Sequence, residues 1–316
     1  MVGLPDLSAY AGRWVALADG AVAGVGQTPM EALRWGRHNR PKETLVLWFV
    51  EPPGGEVLVL SPLLEQLRPF LVRQEMPVYL VGGAVRDALL GQASHDLDFV
   101  VPEKAISLAF RVADELGVPA YVLDRERDTG RVVLPELATT LDFASFRGAD
   151  LLADLRDRDF TVNAIALPVS AQTTAGLIDP CGGQADLAAG VLRMTHARVI
   201  EDDPLRALRA LRLAVTFGLR LAAETESAVS AAADLLDQVS TERVRDELLR
   251  LLATAVPHEA IRQLDKYQLL RTVLPEIADL AVIEQSPPHH EPVLPHTLSV
   301  LAWLVQLETA VLDGEP

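Results

Sequence analysis

The stretch from Tyr79 to Val101, YLVGGAVRDALLGQASHDLDFVV, constrains this chain more than any other. An apolar run ends at Gly82-Gly83, a short helix-favouring segment stops at Gly91, and a second apolar run carries Asp96 and Asp98. The pattern predicts strand, glycine turn, helix and strand. Residues two apart on a strand face the same side, so the two carboxylates stand together while Leu97 turns inward. Like charges that close are unfavourable unless a cation sits between them, and two divalent ions meet that need.

Upstream, Gly82 and Gly83 close a strand and open a helix, which lets backbone N–H groups approach phosphate oxygens at the positive helix end. A Gly-Gly turn by itself is a common loop, and Asp-x-Asp at a strand end is commonly a solvated edge. In this order and spacing the two form an arrangement suited to nucleotidyl transfer. The stretch resembles the class II tRNA nucleotidyltransferase and bacterial poly(A) polymerase family. That family's motif of two glycines, a spacer, Val-Arg-Asp and then Asp-x-Asp is matched by Gly82, Gly83, Val85, Arg86, Asp87, Asp96 and Asp98. The resemblance implies an α+β fold: a polymerase-beta-like nucleotidyltransferase head and a helical neck and body. A small N-terminal ββαβ module precedes them.

Bulk properties agree with a folded protein of this kind. The 316 residues predict two or three domains, and 49% hydrophobic with 23% charged residues supports a sizeable core. The beginning, MVGLPDLSAYAGRW, lacks a basic region followed by an apolar run, so no secretion signal is expected. Apolar runs such as Leu45 to Val50 are strand-sized rather than membrane-spanning. The single cysteine, Cys181, excludes an intramolecular disulfide and suits a reducing, cytoplasmic setting. A net charge of −16 argues against a general nucleic-acid coat but leaves room for a local arginine-lined groove.

The expected domains are 1–57, 58–190, 191–270 and 271–316. In the first, Arg13–Ala18 and Ala21–Gly26 read as strands around an Asp19-Gly20 turn, then a helix over Pro29–Gly36 and a strand over Thr44–Val50. Its default reading is structural or partner-docking. The head opens with an amphipathic helix over Ser61–Gln74, Ser61 being the expected N-cap. A helix over Ala105–Leu116 and strands at Ala120–Leu123, Arg131–Leu134 and Leu141–Phe146 complete an α/β palm. Helices over Asp203–Phe217, Glu224–Leu236, Thr241–Ala253 and His258–Tyr267 read as the neck, and the body starts beyond.

Three further segments carry chemistry. Arg156–Ala164, RDRDFTVNA, resembles the family's Arg-Arg-Asp-Phe-Thr-x-Asn-Ala motif, which sits below the triphosphate and ribose. Arg158, Asp159, Phe160, Thr161, Asn163 and Ala164 match, whereas Asp157 stands where an arginine is usual. Asp202–Arg212, DDPLRALRALR, places Asp203, Arg206, Arg209 and Arg212 three apart along one helical face. Helix-start grammar explains an N-cap at Asp203 and Pro204 after it, but not the arginines. Asp accepts from and Arg donates to base edges. The resemblance implies that Asp203 and Arg206 read the incoming base while Arg209 and Arg212 hold phosphate or shape the pocket. Asp142, on a neighbouring strand, is a candidate third carboxylate, with a capping or edge role as its alternative. Ile178–Arg193 resembles the family's head-to-neck joint, in which Cys181 reads as a small packed residue rather than a nucleophile.

The implied reaction is attack by a tRNA 3′-hydroxyl on the α-phosphate of CTP or ATP. Asp96 and Asp98 would hold two Mg²⁺, Gly82, Gly83 and Arg86 would hold the β and γ phosphates, and Asp87 would orient Arg86. The alternatives are a CC-adding enzyme, a poly(A) polymerase, a tRNA-binding protein without catalysis, and an HD phosphohydrolase. Only Gly148–Leu155 separates Phe146-Arg147 from Arg156, and in the family such shortening goes with CC addition. His296, followed by Thr-Leu, resembles the opening of an HD domain, but His289, His290 and His296 lack the carboxylates a metal site needs.

Overall fold

The computed structural model describes residues 5–286 and 291–312. Two compact units divide the chain, 1–184 and 185–316.

The first unit begins with β1 (Arg13–Ala18) and β2 (Ala21–Gly26), α1 (Pro29–Asn39) and β3 (Leu45–Val50), forming an antiparallel sheet in the order β2-β1-β3. Thr28 caps α1, its side chain accepting from Glu31 N–H, and Pro29 suits the first helical position. The helix runs to Asn39, beyond the expected Gly36. Next come α2 (Pro62–Leu71), β4 (Tyr79–Val81), α3 (Gly83–Leu89), β5 (Leu97–Val101), α4 (Ala105–Leu116), β6 (Ala120–Asp124), β7 (Thr129–Leu134) and β8 (Thr139–Ser145). After α5 (Leu151–Arg156), β9 (Ala166–Pro168) completes a six-stranded mixed sheet in the order β6-β7-β8-β5-β4-β9. Ser61 precedes α2 but its side chain makes no capping hydrogen bond; Pro62 at the first position leaves one fewer N–H to satisfy.

Alternation along β5 separates two cores. Leu97, Phe99 and Val101 face a core with α2 and α4, including Leu64, Leu67, Leu108 and Val112, and Phe99 stacks on Phe143 at 4.8 Å. Val100, with Tyr79 and Val81, faces a second core that contains Trp14, Ala16, Leu45 and Leu47. Trp14 contacts both Phe49 and Tyr79, with ring centroids 5.5 and 5.8 Å apart. The N-terminal sheet therefore has its own hairpin but shares its core with the head. Burial of that order makes the N-terminal segment a lid over one sheet face rather than an appended bead.

The second unit is helical. Its elements are α6 (Gly183–Ala188, beginning at the boundary), β10 (Val191–Leu192), α7 (Val199–Asp202), α8 (Leu205–Phe217), β11 (Arg220–Leu221), α9 (Ala223–Ser230), α10 (Thr241–Leu252) and α11 (Pro257–Lys266). The short helices α12 (Leu270–Val273) and α13 (Pro275–Ala278) lead to α14 (Val293–Leu312). The helix expected from Asp203 starts at Leu205, because Asp203 adopts an extended conformation (φ −150°, ψ 97°) that ends α7. The helix expected over Glu224–Leu236 breaks at Ala231 and continues as a 3₁₀ segment, Ala233–Gln238. No described helix is long and apolar enough to cross a membrane.

Candidate active site

Asp98 sits on the central strand of the head sheet, so its place is fixed from both sides. Its backbone pairs with Val81 of β4 and, in parallel register, with Asp142 of β8. Asp96 precedes the strand; its carboxylate accepts from the backbone N–H and hydroxyl of Thr140 at 3.1 and 3.2 Å. Both acids are exposed, while Leu97 between them is buried as expected. Asp98 on the strand and Asp96 just before it thus both face solvent.

The turn before α3 reaches the same place. Gly82 has φ +70° and ψ −135°, a conformation open to glycine alone. A β-carbon there would lie 3.4 Å from Arg158 Nη1 and 3.6 Å from Asp98 Oδ2. One turn and one acid from the first motif and one guanidinium from the second therefore surround a single point. Arg158 is 22% exposed, and Asp154, 3% exposed, accepts from its Nε and Nη2 at 3.3 and 3.2 Å. Asp154 was invisible to motif reading; the signal available was an acid one helical turn before Arg158.

Arg86 is placed differently from the expectation that it grips phosphate. It is buried, its Nε and Nη2 donate to Asp87 Oδ1 at 2.9 and 2.7 Å, and Nη1 donates to Asn163 Oδ1 at 2.7 Å. Asn163 Nδ2 in turn donates to Asp159 Oδ1, which also accepts from Phe160 N–H. Arg86, Asp87, Asn163 and Asp159 form a clamp that locks the first motif to the RDRDFTVNA segment. Burying this many charges is tolerable only because each has its partner. Asp87 does orient Arg86, as expected, but toward the protein interior. Gly83 lies over the same guanidinium.

Asp142 lies in the row across the sheet, but its carboxylate is held at both oxygens by Arg131 Nε and Nη2 at 2.6 Å. That hydrogen bonding raises the Arg131 pKa. Asp142 thus stands beside Asp98 as an acid already paired with a guanidinium.

In the second unit, Asp203 does not cap α8. Its side chain accepts from Arg243 Nη2 at 2.8 Å, and its backbone carbonyl receives Arg206 N–H. Arg206 Nη1 donates to Val199 O at 3.2 Å. Arg212 Nε donates to the buried Glu247 at 2.5 Å, tying α8 to α10. Arg212 therefore serves packing, whereas Arg209, three positions before it, lies on α8 outside this pair. Cys181 is half-buried, and burial, with Asp179 nearby, pushes its thiol pKa up, which is the wrong direction for a nucleophile.

Among the described residues no group of three or more His, Cys, Asp or Glu could cage a metal. Mg²⁺ does not require such a cage: one or two carboxylates suffice when substrate phosphates supply the other oxygens. Asp96 and Asp98 are exposed hard-oxygen donors, Asp98 beside the Gly82 turn, and fit that ion. His289 and His290 lie outside the described residues.

A mixed sheet with one acid on an inner strand and a second just before it, next to a glycine turn that opens a helix, defines a polymerase-type nucleotidyltransferase head. Residues 78–193 match a family described as "Poly A polymerase head domain", and residues 218–280 one described as "Probable RNA and SrmB- binding site of polymerase A". Residues 6–53 match a family of unknown function. A CC-adding tRNA nucleotidyltransferase of Geobacter sulfurreducens is 42% identical over 57% of this chain and 41% of its own length. An A-adding tRNA nucleotidyltransferase of Deinococcus radiodurans is 42% identical over 72% and 51%. The structure of a Thermotoga maritima CCA-adding enzyme complexed with tRNA_CCA aligns at a TM-score of 0.60 and 32% identity, over 71% of this chain and 53% of that one. The chain belongs to the class II tRNA nucleotidyltransferase family. It spans about half the length of the curated relatives it matches, and the family implies dependence on a divalent metal.

Proposed function

We propose that this protein transfers CMP, AMP or both from CTP and ATP to the 3′-end of tRNA, without a nucleic-acid template, using two Mg²⁺. The observation that carries the reading is the meeting of Gly82, Asp98 and Arg158 around one point at the sheet edge. When bound, the two ions supply charge neutralisation of the triphosphate and activation of the attacking hydroxyl. Asp96 and Asp98 would hold them, with Thr140 fixing the Asp96 carboxylate. The Gly82–Gly83 backbone and the Arg158 guanidinium bind the non-reacting phosphates, so that the α-phosphate faces the tRNA hydroxyl in line. Asp159 and Asn163, closed into the Arg86 clamp, set the floor below the nucleotide. Asp203 and Arg206 recognise the base by hydrogen bonding, the acid accepting and the guanidinium donating.

The domain plan we propose keeps 1–57 as an accessory module, 58–190 as the head, 191–270 as the neck and 271–316 as the start of the body, in a cytoplasmic protein. One observation favours the narrower CC-adding activity. The eight residues from Gly148 to Leu155 contain a bend and most of α5, capped by Asp150 onto Ala153 N–H at 2.8 Å, instead of a long loop.

Incorporation of radiolabelled CTP and ATP into tRNA ending at the discriminator base tests both points. Wild type should incorporate label, and Asp98→Ala should lose roughly a thousandfold or more of the rate while keeping affinity for tRNA. A variant that keeps its rate would remove the two-metal reading. CMP alone in the product, with both nucleotides supplied, marks the CC-adding enzyme.

A further inference from the structure

We infer that Asp154 is a positioning residue for nucleotide binding, acting through Arg158 and linking the segment after β8 to the phosphate turn. The inference rests on the function proposed above. Three observations carry it. Asp154 is 3% exposed yet ionisable, and its two oxygens go to different masters: Oδ1 accepts from Arg147 N–H at 3.0 Å, Oδ2 from Arg158 Nε and Nη2. A buried carboxylate bound this way is costly unless its partners are both fixed. Arg158 in turn reaches Gly82, so a single carboxylate spans from the end of β8 to the turn that would hold phosphate.

The local backbone is built to make that span rigid. Gly148 approaches α5 so closely that a β-carbon would come within 2.5 Å of Ala153 Cβ, and only glycine fits such an approach. Asp150 caps α5 one turn earlier. Residues 147–154 thus form a closed bracket, and its one acid with a side chain directed inward onto Arg158 is Asp154. A guanidinium left to itself samples many rotamers; one forked onto a buried acid is pre-organised and loses less on binding. Arg158 contacts non-reacting phosphates alike in ground and transition states, so loosening it should weaken binding rather than chemistry.

The test measures equilibrium binding of CTP and ATP without tRNA, alongside incorporation kinetics. Asp154→Asn should weaken nucleotide binding roughly tenfold, raise KM to match and leave kcat within about threefold. The cycle with Arg158→Gln should be non-additive, the double variant binding no worse than Arg158→Gln alone. Thermal melting reports folding, and Asp154→Ser, small enough for the site and able to accept from Arg147 N–H, replaces an Asn variant that does not fold. A folded Asp154 variant with wild-type nucleotide affinity, a lower kcat at unchanged KM, or strictly additive losses would each overturn the inference. If wild type binds neither nucleotide, the function itself fails, and that outcome is distinct.

Discussion

Arg86 Nη1 donates to Asn163 Oδ1 at 2.7 Å across 77 positions of sequence. The glycine turn and the RDRDFTVNA segment are thereby one object. Arg86→Leu should leave Asp87 without its cation and Asn163 Oδ1 without its donor, and cost about 3–5 kcal/mol of stability, read by urea unfolding. An arginine whose task was phosphate binding would instead raise KM and leave stability intact.

Gly82→Ala introduces a side chain at φ +70° and ψ −135°, a region that favours glycine, which costs about 1–3 kcal/mol. The added methyl also meets Arg158 and Asp98. Nucleotide KM should rise well beyond what the small loss in melting temperature accounts for, and steady-state kinetics beside calorimetry will show the mismatch.

Arg243 and Asp203 form an ion pair in which Arg243 is largely exposed, 54% for its side chain. Such pairs contribute about 1 kcal/mol or less, so Arg243→Ala should hardly change the melting temperature. If Asp203 reads the base, freeing its carboxylate should shift the CTP-to-ATP ratio of kcat/KM by roughly fivefold, equivalent to about one hydrogen bond.

Asp128 predicts a pH dependence. Burial opposes its ionisation, but hydrogen bonds from Ser145 and from the N–H groups of Ile106, Ala105 and Lys104 prevail and hold its pKa below the ordinary 3.8. A carboxyl with a lowered folded-state pKa stabilises at neutral pH, and the benefit disappears as pH falls through that folded value. Asp128→Ala should therefore be less stable than wild type by about 1–2 kcal/mol at pH 7, since it loses the cap on α4. Below 3.8 the difference should narrow. Chemical denaturation across that range decides it.

Local pattern carried much of this fold. The Asp19-Gly20 turn between alternating runs places β1 and β2 to the residue, and apolar spacing with Gly117 places α4 to the residue. Order and spacing singled out Asp96 and Asp98 as candidates, and both face solvent with Leu97 buried between them. What the residues could not announce was who meets whom. Arg86 looks like a phosphate ligand until Asn163 and Asp87 are seen to occupy it. Asp203 obeys N-cap grammar, yet Arg243, 40 positions away, outcompetes the helix end. Asp142 looked available until Arg131 closed on it. Asp154 had no motif to advertise it. Each miss is a tertiary partner overriding a local preference.

The two acids of the site differ in tenure. Asp98 is stitched into the middle of a six-stranded sheet by ladders on either flank, whereas Asp96 leans on one threonine. Paired on both flanks, the strand that bears Asp98 should exchange its amides only on global opening. Heating should therefore silence the enzyme abruptly, at the collapse of the whole head, rather than by gradual fraying of its catalytic edge.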